Sequence, residues 1–229
     1  GYPALISLVS LTTGLDIFIS TKVINLLLIL SSAYLFYSLT KSTLATFVYV
    51  VNPITLYIIQ YTWSENVFIL AVTLLTYSLV NIHRGRDEKK LYMALILGLL
   101  LGVTSRYFFA PYAFAVFIIT YSILGRETAV KALPYFVLSG VIFVAYYIYN
   151  KAITGYGSGM PRNPAPESLL FLSVSFIKYS IKQLIISVAS LAPLLVLFKV
   201  GPLKDNINTD HTKKLAFFLL SLGIAYLIL

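Results

Sequence analysis

The sequence predicts an all-α protein that crosses a membrane several times. Of its 229 residues, 59% are hydrophobic and only 11% are charged, whereas a soluble domain carries about 25% charged residues. The apolar residues gather in repeated runs of roughly helix length, the pattern of a polytopic bundle of transmembrane helices. Runs such as Leu-Leu-Ile-Leu at 27–30 lack the alternation of apolar and polar residues that is typical of transmembrane strands.

Residue content also narrows the functional classes. The chain has no cysteine, which excludes a disulfide framework, a thiolate nucleophile and a Cys-ligated metal. Both histidines, His83 and His211, lie in charged segments, so neither a histidine-based catalytic dyad nor a zinc site is expected. The net charge of +9 is interpreted as lysine and arginine on the cytoplasmic side of a membrane, and no nucleic-acid partner is expected.

The first three apolar segments differ in length and in their breaks. Residues 3–15 end at Gly14 and are too short to span a bilayer, so they are predicted to form an interfacial helix. Residues 23–39 are long enough to span. Residues 43–59 are also predicted to span, with a kink at Pro53, since a proline frees a backbone carbonyl inside a helix.

The next two spans are bounded by charge. Residues 66–82 are followed by the charged segment 83–90, which ends that span. Residues 91–103 form the next predicted span and contain Gly98 and Gly102, four residues apart. This spacing lets another helix approach closely, although glycines scattered in a membrane helix would look the same.

Further apolar runs are predicted to span in turn at 108–124, 132–149, 185–198 and 215–229. The longest polar loop, residues 151–167, is rich in glycine and proline. After it, residues 168–182 are amphipathic, with Lys178 and Lys182 on one face, and are predicted to lie along the membrane surface. Residues 1–229 are therefore predicted to form a single transmembrane domain of about eight spans plus two interfacial helices.

The distribution of basic residues predicts which side is which. Alternating the spans places most of the 17 lysines and arginines on the side of segment 83–90, which is cytoplasmic by the positive-inside rule. Glu65, Arg106, Asp16 and the loop 151–167 then share the extracytoplasmic face.

Glu65 and Arg106 are the main candidates for functional residues. Glu65 stands at the start of the span 66–82, and Arg106 follows the span 91–103, so an acid and a base meet at the same end of neighbouring helices. Glu65 is either a structural acid favoured by the helix dipole or a ligand for a divalent or phosphate-linked cation. Arg106 is either a snorkelling interfacial side chain or a clamp on a lipid phosphate.

Several nearby aromatic and basic residues have two interpretations each. Trp63 and Tyr107 fit an aromatic belt at the membrane interface or a platform for a sugar. Arg162 lies in the polar loop 151–167, which is either plainly exposed or folded over a substrate on the outer face.

Four short motifs occur in a fixed order along the first half of the chain: YPAL at 2–5, NP at 52–53, YTWSENVF at 61–68 and GLLLGVTSR at 98–106. The ordered set resembles GT-C-fold glycosyltransferases that use a polyprenyl-phosphate sugar, in particular the protein O-mannosyltransferase-like and GPI-anchor mannosyltransferase-like families. The resemblance covers about residues 2–112. From residue 132 onward only the hydropathy is similar.

The resemblance implies a hexosyltransferase of the extracytoplasmic face. It would move mannose or another hexose from a polyprenyl or dolichyl phosphate to a hydroxyl of a lipid, glycan or protein acceptor, with inversion. The expected membrane is the plasma membrane in a prokaryote and the endoplasmic reticulum in a eukaryote. The family's catalytic Asp lies in a first outer loop, so the chain is interpreted as a fragment in which that residue would precede Gly1.

The resemblance also implies roles for individual residues. Glu65 matches the acidic position that organises the donor phosphate or a divalent cation, and Arg106 matches the basic position near that phosphate. Ser105 and the residues after Arg106 depart from the family pattern, which leaves the acceptor class open. Whether the reaction needs a metal is also open. The expected substrate contacts are Tyr2, Trp63, Asn66, Tyr107 and Arg162.

Two other classes compete with this interpretation. A transporter would place ionisable residues near the bilayer midplane on broken helices, whereas the charges here lie at predicted helix ends. In a non-catalytic membrane subunit, Glu65 and Arg106 would tolerate neutral substitution.

Overall fold

The computed structural model describes residues 2–52, 55, 65–86, 88–105, 109–155, 174, 178, 218, 221 and 222. Within these residues the regular elements are α1 (Tyr2–Thr13), α2 (Ile17–Thr40), α3 (Thr43–Val51), α4 (Glu65–His83), α5 (Lys89–Ser105), α6 (Phe109–Ile119) with a π-helical turn (Thr120–Leu124), and α7 (Arg126–Thr154). No strand occurs among them. The predicted all-α class is therefore confirmed for the described part of the chain.

Three of these helices, α2, α4 and α7, are long and apolar enough to cross a membrane. α1 and the segment Phe109–Leu124 are apolar but shorter. Helices of this length and hydropathy are compatible with a membrane protein. Several of the predicted spans fall wholly or partly outside the described residues, namely 43–59 beyond Asn52 except for residue 55, 185–198 and most of 215–229.

α2 begins more than one turn before the span predicted at 23–39. The Asp16 carboxylate caps the helix, since its Oδ1 accepts from the backbone N–H of Phe18 at 2.7 Å and of Ile19 at 3.1 Å. Lys22 directly precedes the predicted span. In the structure it lies within the helix, with its Nζ 5.1 Å from the centroid of the Phe18 ring. The resulting helix has 24 residues and is about 36 Å long.

Replacing Asp16 with alanine is expected to reduce the free energy of unfolding by about 1 kcal/mol, because two backbone N–H groups lose their acceptor. Thermal unfolding in detergent measures this loss. Asp16→Asn is the matched control, since asparagine keeps a side-chain oxygen at the capping position and should retain most of the stability. Equal losses in both variants would contradict the capping role.

α7 is longer at both ends than the span predicted at 132–149. It begins directly after Gly125, whose φ of +95° is a conformation that glycine adopts readily. The helix continues to Thr154 and ends at Gly155, which has a φ of +77°. The first residues of the predicted polar loop 151–167 are therefore helical, whereas the rest of that loop lies outside the described residues.

The core of the bundle is built around α4 and α5. Buried leucines from both helices form its centre, including Leu75, Leu79, Leu95 and Leu99. Gly98 lets the two backbones approach, since a Cβ there would lie 2.9 Å from the Ala71 carbonyl oxygen. The close-approach interpretation of this glycine is therefore the correct one.

The chain divides into two compact units, Gly1–Phe143 with Asn208–Leu229, and Val144–Ile207. The first unit holds α1 to α6 and the beginning of α7, and it includes the buried Phe218 and Leu222. In the second unit, the described residues are 144–155, 174 and 178. Of the interfacial helix predicted at 168–182, only Val174 and Lys178 are described, and both are helical. Exposed tyrosines at 146, 147 and 149 precede Lys151, as in an aromatic belt.

Candidate functional site

Four helix segments converge at the end of the bundle where α4 begins. Tyr2 and Ile6 of α1, Ile24 of α2 and Val67 of α4 form one small apolar cluster, against which Leu101 of α5 packs. Val67 belongs to the first turn of α4 and Leu101 to the last turns of α5. The start of α4, which carries Glu65, and the end of α5, after which Arg106 follows, therefore lie at the same end of the bundle.

Within this end of the bundle, a buried hydrogen-bond network joins α1, α2 and α4. The Tyr2 hydroxyl donates to Asn25 Oδ1, and Asn66 Nδ2 donates to the same oxygen at 3.0 Å. Tyr2, Asn25 and Asn66 are only 3%, 0% and 4% exposed. Two of the sequence-predicted substrate contacts, Tyr2 and Asn66, are thus held by one shared acceptor.

Asn25 is the residue that sequence reasoning missed. It lies inside an apolar run, Val-Ile-Asn-Leu-Leu-Leu, and was counted as part of a span. Its amide was the available signal, because polar side chains within transmembrane helices usually face the interior of the bundle. A carbonyl oxygen with two lone pairs can accept both hydrogen bonds, and an unsatisfied polar group in such surroundings would be costly.

The network is uncharged. Burial raises the pKa of the Tyr2 hydroxyl, and its hydrogen bonds with Asn25 and Asn66 oppose that rise. Tyr2 therefore stays protonated at neutral pH and acts as a donor. Such a network fixes the positions of three helices and holds its donors and acceptors in place.

Glu65 lies directly beside this network. It is the first residue of α4 and immediately precedes Asn66 in the chain. Its side chain is half-buried, and its Oε2 oxygen is buried. The positive end of the α4 dipole favours a carboxylate at this position. Both interpretations of Glu65, a structural first-turn acid and a ligand for a cation, are compatible with this position.

The remaining predicted site residues lie outside the described part of the chain: Trp63, Arg106, Tyr107 and Arg162. Asp16, which the sequence analysis placed on the same face as Glu65, is the N-cap of α2. Among the described residues, no group of three or more metal-ligating side chains occurs. Glu65 and Asn66 carry the oxygen donors that hard divalent cations take, so a cation here would need further ligands from a bound molecule or from elsewhere in the chain.

An open apolar groove begins close to the network. It has a volume of about 500 Å³ and runs between α2, α4 and α5, lined by residues that include Leu30, Leu35, Leu70, Leu74 and Leu97. Leu30 lies five positions after Asn25 and Leu70 four positions after Asn66, a distance of about 6–8 Å along each helix. The nearest lining residues of the groove therefore lie about one helical turn or slightly more from the network, measured along the helix axes.

No protein-family model, curated protein or solved structure matches this chain. The class that the fold defines is a helical bundle with helices of membrane-spanning length. Its candidate site is a buried neutral network beside one carboxylate, at one end of that bundle.

Proposed function

We propose that this chain belongs to a membrane glycosyltransferase that moves a hexose from a polyprenyl phosphate to an acceptor hydroxyl on the extracytoplasmic face. One observation carries the proposal. Tyr2 and Asn66 come from separate motifs of the ordered set, far apart in sequence, and they share Asn25 as a hydrogen-bond partner beside Glu65. A shared location for these motifs is what a common site requires.

In the proposed reaction, the acceptor oxygen attacks the anomeric carbon of the sugar. The bond between that carbon and the phosphate oxygen breaks with inversion, and the lipid phosphate leaves with the bonding electrons. The proton of the acceptor hydroxyl passes to a general base, a role that the resemblance gives to an Asp of the family's first outer loop. Negative charge on the leaving phosphate must be stabilised, a role assigned to Arg106 and to a cation held by Glu65.

The apolar groove supports a lipid-linked donor. A prenyl chain is a long hydrocarbon, and the leucine-lined groove starts one to two turns from the network. With its phosphate near Glu65 and its chain along the groove, the donor would remain at the bilayer surface throughout transfer. This placement explains why a site with few polar residues would suffice.

The test uses the full-length protein in membranes, supplied with a labelled polyprenyl-phosphate sugar. Release of free lipid phosphate is followed for the wild type and for Glu65→Gln, which keeps the shape of the side chain and removes its charge. Turnover is expected to fall at least tenfold, since the Glu65 carboxylate no longer holds the cation that offsets the charge of the phosphate. Glu88→Gln is the matched control, because Glu88 is exposed and pairs with Lys90 at 2.6 Å, near the other end of α4.

Each result has a defined meaning. Turnover that survives Glu65→Gln would keep the reaction and remove Glu65 from it. Absence of turnover with any lipid-linked sugar would favour a transporter or a non-catalytic membrane subunit, and flux measurements would separate these two.

A further inference from the structure

A second polar site lies where α4 ends and α7 begins. α4 is a helix of 19 residues, so its two ends lie about 28 Å apart, and this site is at the end away from Glu65. A cavity of about 290 Å³ opens between His83, the last residue of α4, and the first turns of α7. Its lining includes Arg126, Glu127, Thr128 and Lys131.

Three basic side chains line this cavity. His83, Arg126 and Lys131 come from two helices and surround one space. Within the described part of the chain, Arg126 forms no ion pair. The acidic member of the lining, Glu127, pairs with Lys131 at 3.0 Å, and its side chain is 84% exposed against 35% for Lys131. The carboxylate therefore sits at the rim, while the lysine lies deeper.

The neighbouring turn adds to the positive potential. Arg84 and Arg86 directly follow α4. Burial lowers the pKa of the Arg84 guanidinium, and repulsion from Arg86 lowers it further. A bound anion would reduce the repulsion between these two cations.

We propose that the cavity bounded by His83, Arg126 and Lys131 binds a phosphate group. The guanidinium fork of Arg126 suits two phosphate oxygens at once, and Lys131 adds a point charge beside it. The phosphate could be the headgroup of an anionic lipid or a free anion. Basic pockets at the ends of transmembrane helices recognise lipid headgroups in this way. The proposal is independent of the glycosyltransferase assignment, since the two sites lie at opposite ends of α4.

Binding is measured on the full chain in nanodiscs of zwitterionic lipid. The probes are dioctanoyl phosphatidic acid and, separately, inorganic phosphate. Arg126→Gln is expected to weaken binding about tenfold, because a charge-assisted pair of hydrogen bonds is lost. Glu127→Gln is expected to strengthen binding, since Lys131 loses its competing carboxylate. Lys151→Gln, at the other end of α7, is the control and should leave the affinity unchanged.

The two probes separate the sources of the phosphate. Tight binding of the lipid that inorganic phosphate does not displace assigns a headgroup site, whereas displacement by inorganic phosphate assigns a site for the free anion. Equal affinities for the wild type and Arg126→Gln, or no binding of either probe, would overturn the proposal. A melting temperature measured for each variant shows that it is folded, which is expected because Arg126 is exposed.

Discussion

Replacing Gly102 with alanine is expected to destabilise the protein by about 3 kcal/mol. A Cβ at this position would overlap the ring of Phe109 on the next helix. That ring is fully buried and is itself held by two aromatic neighbours, with its centroid 5.9 Å from those of Phe68 and Tyr112. Because the ring has little space to move into, the extra methyl group forces the helices apart. Overpacking of this kind typically costs about 1–3 kcal/mol, and the tight surroundings of Phe109 place this substitution at the upper end of that range.

Thermal unfolding in detergent measures the effect, and two further variants identify its cause. Gly140→Ala is the matched control, since a Cβ there meets no atom within 4 Å. It should be neutral or stabilising by up to about 1 kcal/mol, because alanine favours a helix over glycine. Adding Phe109→Leu to Gly102→Ala should recover part of the loss by vacating the overlapping space. An unchanged melting temperature in Gly102→Ala would contradict this packing.

The substitution Asn25→Leu is expected to reduce the free energy of unfolding by about 2–4 kcal/mol. Leucine has a similar volume but cannot accept the hydrogen bonds from Tyr2 and Asn66. Hydrogen bonds between membrane helices contribute about 0.6–1.7 kcal/mol each. Leaving two buried donors without their acceptor adds a desolvation penalty of about 1–3 kcal/mol for each group.

A double-mutant cycle with Tyr2→Phe tests whether the loss arises from the network. Once the hydroxyl is absent, Asn25→Leu should destabilise less, since one donor no longer needs an acceptor. Ser31→Leu serves as the control for a polar-to-leucine change in the same helix, because Ser31 is exposed. Additive effects of Tyr2→Phe and Asn25→Leu would show that the two side chains act independently.

Much of the helix pattern follows from the sequence, because charged clusters mark where apolar runs end. The predicted spans 66–82 and 91–103 lie within α4 and α5, with differences of a few residues at the ends. The predicted span 23–39 lies within α2, which begins six residues earlier and contains Lys22, whose long side chain contacts Phe18. The hydropathy of the segment does not reveal the Asp16 cap, which sets the first residue of α2.

The site was harder to predict, since it depends on contacts between distant helices. Tyr2 and Asn66 were placed in one site by resemblance to a family, and nothing in their own neighbourhoods indicated a common partner. Asn25 lacked even that support, because a single asparagine in an apolar run has many potential partners. The spacing of Gly98 and Gly102 indicated a close approach of another helix. That the Phe109 ring fills the space beside Gly102 depends on tertiary packing and cannot be predicted from the spacing.

The shared acceptor of the network also constrains the order of events during synthesis. In a membrane protein whose helices insert in chain order, Asn25 would enter the bilayer with α2, well before the ribosome has made α4 and its Asn66. Until then the Asn25 amide would lack its hydrogen bond with Asn66 in an apolar environment, where buried polar groups cost free energy. We therefore expect α1 and α2 to remain a loosely associated pair during early insertion. Arrival of α4 would then fix their geometry in a single late step.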